Sequence, residues 1–472
     1  MQVTENLVTD KNDDLPMTLW LQGAPTPLLW QEKLRVVSGK RWVVSGYWGE
    51  QLVVAKVFTK LKYAQRELKG LQALASTGVK TPTLLHHGWI ARHPFYILVF
   101  EKIHAAEDVD SAWWSGDAAQ RVTILNQLVI LTAQLHKYGV TQHDLHLQNF
   151  LLNANEIYVI DAADITQTSN GQALTERAGL SNLARLFAQL SPEYDQECEQ
   201  AYRLYAKECG LVFTQAALTE LKKWIRHWRQ QHLRIYGKKI FRNTSKLQCS
   251  HSLRRFAVWN RAYDSEALQQ LLADPEAAMK NPASKSLKDG NTCTVNLIEI
   301  DGKLLVIKRY NIKGFWHGLK RAFRNSRAAI CWRNAMCLAS WRLGVAKPIA
   351  MIEKRIGPLR RQAYFITEYV PGIRLQDFFI TQKPSPEEMT NAASNIKQLF
   401  TNLENIWISH GDLKADNLLL VGQEPILLDL DAMRMHRFSR CWQRSQQRDT
   451  QRFMKNWQEY PEIAKVFSEL ME

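Results

Sequence analysis

Two segments of this chain share one frame. QHDLHLQNFLLNANEIYVID (Gln142–Asp161) and HGDLKADNLLLVGQEPILLD (His410–Asp429) both place Asp-Leu-x-x-x-Asn before an apolar run, and both end in Asp twelve residues after the Asn. The offset between the copies is 268 residues throughout: Asp144 to Asp412, Asn149 to Asn417, Asp161 to Asp429. That period is far too long for a solenoid repeat and points to a duplicated domain.

The segments upstream correspond as well. GEQLVVAKVF ends an apolar run at Lys56 and DGKLLVIKRY does so near Lys308. Both read as strands, because β-branched residues follow a turn glycine. Helix-like stretches follow, ending near Gly78 and Gly344, which suit helix C-caps. Long helices are expected over about 118–138 and 387–406. Each half thus reads as a β-rich lobe with one helix and then a mostly helical lobe, an α+β organisation. The expected boundaries are an N-terminal extension at 1–25, a first domain at 26–240, an inter-domain region at 241–285 and a second domain at 286–472.

Composition narrows the class. No apolar run approaches the ~20 residues of a membrane-spanning helix, and the N-terminus lacks a secretory pattern. The seven cysteines form no CxxC pair, which suits reduced thiols in a cytoplasmic protein and gives zinc little support. The net charge of +15 is concentrated: residues 222–255 and 303–352 each hold eleven Lys or Arg and no acid. Such faces suit an anionic membrane or glycolipid, or are simply solvated surface. Phe315, Trp316 and Phe323 lie among Lys313, Lys320, Arg321 and Arg324, an arrangement that suits an anionic membrane interface at 303–327. Nucleic acid is disfavoured, since no RRM, KH or finger pattern is present.

The repeated carboxylates suit phosphoryl transfer from ATP. That reaction needs a cation on the phosphates, a metal held by oxygen ligands, and a carboxylate to orient the attacking hydroxyl. Lys56, Asp144, Asn149 and Asp161 supply these in one half, and Lys308, Asp412, Asn417 and Asp429 in the other. An isolated Asp is more simply a turn or helix cap; the paired constellation is not.

With those residues in view, the chain resembles the protein-kinase-like superfamily, HGDLKADN being close to the protein-kinase catalytic loop. More narrowly, VIKRYNIKGFWHGLKRAFRNSRA, WRNAMCLASWRLGVAKP, HGDLKADNLLL and LLDLDAM resemble the bacterial lipopolysaccharide-core (Kdo/heptose) kinases. The resemblance implies two tandem bilobal kinase-like domains and ATP and Mg²⁺ as cofactors. It implies transfer to a heptose or Kdo hydroxyl of the inner core, on a protein peripheral at the inner face of the inner membrane. It assigns Asp144 and Asp412 as bases, and Asn149, Asp161, Asn417 and Asp429 as metal ligands. Lys56 and Lys308 become the strand lysines, with Glu67 as the partner of Lys56. His146 and Lys414 lie two residues past each base, within reach of a transferred phosphate. Loop glycines are sparse: Gly39, Gly46 and Gly49 in the first half, and Gly290 beside Thr292 in the second. The second half has Asn334 near the place of Glu67 and no acid from Lys303 to Ile352, so the first half is favoured as the catalytic one. An ATP-binding scaffold without transfer, or a kinase of small molecules or protein hydroxyls, are the rival readings.

Overall fold

A computed structural model describes residues 17–37, 39–311, 325–357 and 359–471. The aromatic–cationic stretch around Phe315, Trp316 and Phe323 falls outside the described residues, together with most of the 303–327 face. The chain divides into two compact units, one comprising residues up to Gln189 and Tyr194–Ile225, the other Leu190–Glu193 and Arg226–Glu472.

The first unit opens with a six-stranded antiparallel sheet. Its neighbours in order are Met17–Leu19, Leu28–Val37, Arg41–Trp48, Gln51–Phe58, Tyr96–Glu101 and Leu84–Trp89. Alternation puts Val53, Ala55 and Val57 into one apolar core with Trp30, Val44, Ile97 and Val99, while Lys56 points to the other face, as the period of two requires. That second face is covered by the helix Leu61–Ala75. Residues 17–25 belong to this lobe and are no loose extension: Met17–Leu19 pairs with Leu28–Trp30, and Leu19 and Leu21 are buried. The helices Ala118–Lys137, Glu176–Phe187 and Asp195–Glu208 form the second lobe.

The second unit is built likewise around a seven-stranded antiparallel sheet. Its order is Leu247–His251, Arg255–Asn260, Pro348–Ile356, Leu359–Glu368, Lys303–Tyr310, Cys293–Ile300 and Lys285–Asp289. Residues 241–285, expected to lie between domains, supply two strands of this sheet and the short helices Glu266–Ala273 and Pro275–Lys280. Ala257, Val258 and Trp259 are buried there, an apolar triplet that mixed polarity on either side conceals. The helix Arg327–Ala339 packs below the sheet, and Pro386–Asn405 and Ser439–Lys455 lie in the helical lobe.

Gly78 has the positive φ of a residue just past a helix end (69°). Gly344 does not cap a helix. A Cβ there would sit 2.0 Å from the carbonyl oxygen of Pro425, so close backbone approach, not chain reversal, requires the glycine.

Candidate active site

In both units the repeated motif forms a short 3₁₀ turn between two strands. Leu147–Asn149 leads into Phe150–Asn153 and its partner Glu156–Val159; Ala415–Asn417 leads into Leu418–Val421 and its partner Glu424–Leu427. The hairpin brings the far Asp back beside the Asn. Ile160 N donates to Asn149 O (3.0 Å) and Leu428 N to Asn417 O (2.8 Å). The side chains of Asn149 and Asn417 each donate to the main-chain carbonyl of Asp144 or Asp412, at 3.0 and 2.8 Å. The amide oxygens are therefore left as acceptors on the side away from that bond.

Strand register fixes the lysines equivalently. Lys56 pairs across the sheet with Val43, and Lys308 with Val295. Their partners differ. Lys56 is buried, ion-paired with Glu67 from the helix below, and donates to Ile160 O (2.6 Å). Glu67 also accepts from Ala162 N (3.1 Å), which ties the helix to the Asp161 segment. Gly70, one turn along, lets the helix approach so closely that a Cβ would lie 1.8 Å from Ala162 O. In the second unit Asn334 meets the corresponding backbone, donating to Leu430 O (2.8 Å) and Met433 O (3.2 Å). It leaves Lys308 to pair with Asp429 at 2.7 Å. Burial works against both charges. Even so, each holds the other ionised, the Lys308 pKa being raised and that of Asp429 lowered.

Asp161 has a different environment. Arg41, at the start of its strand, reaches it with both terminal nitrogens, Nη2 to Oδ2 at 2.5 Å and Nη1 to Oδ1 at 3.4 Å. The same Nη1 donates to Glu67 Oε2 at 3.2 Å, and Ala163 N donates to Asp161 Oδ1 at 3.2 Å. Burial would raise the Asp161 pKa, but Lys56 and Arg41 outweigh it and hold the carboxyl at about 2.

The bases expected from sequence sit on the loop tips, half exposed. His146 Nε2 lies 3.5 Å from Asp144, and Lys414 Nζ 3.3 Å from Asp412. The histidines before them brace the loops. His143 bonds Thr166 Oγ1 (2.9 Å), and His410 Nε2–H donates to Leu428 O (2.8 Å). Sequence reasoning missed three supports. Buried Asp449 accepts from Gly411 N through both oxygens (3.0 and 2.9 Å). Asn182 donates to Gln142 O (2.8 Å). Arg41 was missed as well. Asp449 and Asn182 lie 38 and 40 residues from their partners, outside any local pattern.

In the second unit Lys308, Asp412, Lys414, Asn417 and Asp429 line one cleft of about 610 Å³, whose lining also includes Leu287, Lys288 and Val295. Gly290 and Thr292 are not part of its lining; Gly290 N closes the turn by donating to Cys293 O (3.1 Å). In the first unit only Gly39 lies in the matching turn. Gly46 is mid-strand, its Cα packed against Leu29 O, and Gly49 lies in the turn between the Arg41 and Lys56 strands. Among the described residues no group of three or more His, Cys, Asp or Glu could hold a metal. Magnesium does not require one. It is commonly held by one or two carboxylates plus substrate phosphates, and the donor set of Asp429 with the Asn417 amide oxygen fits that need.

The model for the lipopolysaccharide kinase (Kdo/WaaP) family matches residues 29–205 and again 277–465. The chain belongs to that family. It is a phosphotransferase of two tandem protein-kinase-like domains, and its family acts on lipopolysaccharide. Among solved structures it is similar to WaaP in complex with acyl carrier protein, at 15% identity over 44% of this chain and 90% of that one, with a TM-score of 0.34. It is also similar to two structures of the PknI kinase domain of Mycobacterium tuberculosis, the first of them a point mutant. The identities are 13% and 14% over 37% and 40% of this chain and 74% of each of those chains, with TM-scores of 0.27. No curated protein matches. Among the described residues no helix of this kinase is long and apolar enough to cross a membrane.

Proposed function

We propose that the second unit transfers a phosphoryl group from ATP to a sugar hydroxyl, on heptose or Kdo, of the lipopolysaccharide inner core. One observation carries this reading: Lys308, Asp412, Asn417 and Asp429 line a single cleft of nucleotide size. The preference for the first half drawn from Glu67 gives way, because Lys308 has a counter-charge in Asp429. In this reading Lys308 meets the phosphates, and Asp412 orients the acceptor hydroxyl and takes its proton. Lys414 lies beside the transferred group. Asn417 and Asp429 hold magnesium, which when bound neutralises charge on the phosphates.

A basic groove supports an acidic acceptor. About 920 Å³ in volume, it is lined by Arg254, Arg309, Lys354, Arg355 and Arg361. Its Asn311 donates to Gly290 O (2.9 Å), so the groove adjoins the turn above the cleft. The 222–255 face is mostly exposed, with a few of its cations taken up by packing and pairing. Arg229 is fully buried, Lys222 pairs with Glu199, and Arg226 lies over Trp407. Association with an anionic leaflet rests in this reading on the groove together with the exposed cations of 222–255.

The test compares Asp412→Asn with Asp144→Asn, each shown folded by circular dichroism, in phosphate transfer to core oligosaccharide. Loss confined to Asp412→Asn is the expected outcome. Loss confined to Asp144→Asn would return catalysis to the first unit, and activity in both variants would sink the assignment of either base.

A further inference from the structure

We propose that Arg41 stands where a kinase holds its metal ion, so that the first unit holds no magnesium and takes no metal–nucleotide complex. The proposal rests on reading Asp161 and Asp429 as equivalent positions. Both oxygens of Asp161 already accept from protein donors, and the guanidinium spans from Asp161 to Glu67. Lys56 and Arg41 balance Glu67 and Asp161 charge for charge, in a pocket where Arg41 and Asp161 are only 14% and 15% exposed. A divalent ion would have to strip a two-point guanidinium–carboxylate contact, the strongest geometry such a pair adopts. It would also shed its own water, which magnesium does reluctantly.

The other half supplies an internal comparison. Arg41 lies two residues before Val43, the cross-strand partner of Lys56; Cys293 lies two residues before Val295, the partner of Lys308. Arg41 is thus opposite Phe58, and Cys293 opposite Tyr310. One strand position carries a cation aimed at the aspartate in the first unit and a buried cysteine in the second. Among the described residues the ion pair of Asp429 is with the strand lysine's ammonium, the group that meets phosphate once nucleotide enters.

Manganese ion, counted by electron paramagnetic resonance with a non-hydrolysable ATP analogue on the full chain, tests this without reading activity. In the Asp429→Asn chain nucleotide-dependent Mn²⁺ binding is expected to vanish. Adding Arg41→Cys, which gives the first unit the residue of the second, should restore it. The reciprocal Cys293→Arg in the natural chain should remove it. Undiminished Mn²⁺ binding in Asp429→Asn, or in folded Cys293→Arg, would overturn the proposal, as would no gain from a folded Arg41→Cys. A natural chain that binds no Mn²⁺ while Arg41→Cys gains it would support the proposal and instead sink the reading of Asp429 as a metal ligand.

Discussion

Lys56 and Lys308 occupy the same register position and differ in what neutralises them. Glu67 holds Lys56 from the helix below, while Asn334, on the corresponding helix, spends both donors on main-chain carbonyls. The lysines and the Asp/Asn/Asp spacings were legible in sequence because each is set by a local strand or turn. Arg41 was not legible. It lies 26 residues from Glu67 and 120 from Asp161, and a lone Arg on a strand has no pattern; aligning it with Cys293 by strand register was the available signal. Gly70 yields a prediction at this scale. Ala is ordinarily better than Gly inside a helix by ~1 kcal/mol. Here a methyl would meet the Ala162 carbonyl at 1.8 Å, backbone that cannot yield without shifting the Asp161 segment. Gly70→Ala is expected to destabilise the first unit by about 1–3 kcal/mol, seen as a lower thermal midpoint. An unchanged or raised midpoint would show that the helix does not press on that segment.

The elements that hold the loops differ between the halves. In the second, Asp449 on the helix Ser439–Lys455 clamps Gly411 N. In the first, a buried relay runs from the helix Ala118–Lys137: His136 bonds Tyr205 OH (2.8 Å) and Asn182 Oδ1 (2.9 Å), and Asn182 holds Gln142 O. Burial lowers the His136 pKa from 6.5 to about 4 although Asn182 opposes it. The folded chain thus keeps this imidazole neutral where an unfolded one takes up a proton. Its contribution is complete above pH 6.5 and is lost as pH falls towards 4, by about 3 kcal/mol in all. Thermal unfolding across that window should show the first unit weakening on acidification, and His136→Gln should flatten the dependence. An equal slope in the variant would remove His136 as the cause. Helices with long apolar periodicity were readable from sequence, whereas Leu247–His251 and Arg255–Asn260 were not, because each is short and gains its stability from pairing in the sheet.

Across the whole chain, +15 of net charge is the sum of two basic windows and an otherwise acidic remainder. Within the first window Arg229, Arg226 and Lys222 serve packing and pairing, while Lys223, Arg234, Lys238, Lys239, Arg242 and Lys246 are exposed. The groove draws on Arg254 of the first window and on Lys354 and Arg361 from outside both windows, of which Arg254 and Arg361 are exposed. Sequence could not see it, since it gathers cations from three segments that only the sheet brings together. An exposed cationic groove attracts an acidic glycolipid over a distance of about 10 Å at 0.1 M salt and less as salt rises. Replacing Arg254, Lys354 and Arg361 together by Ser should raise KM for phosphorylated or Kdo-bearing core oligosaccharide, leave kcat near its natural value, and flatten the salt dependence of kcat/KM. The split matters because these side chains lie outside the lining of the Lys308 cleft, so their loss should weaken uniform binding and not the transition state alone. Unchanged KM with an unchanged salt slope would leave the groove a solvated surface, and a fall in kcat at constant KM would mean that the substitutions had disturbed the adjoining Gly290 turn.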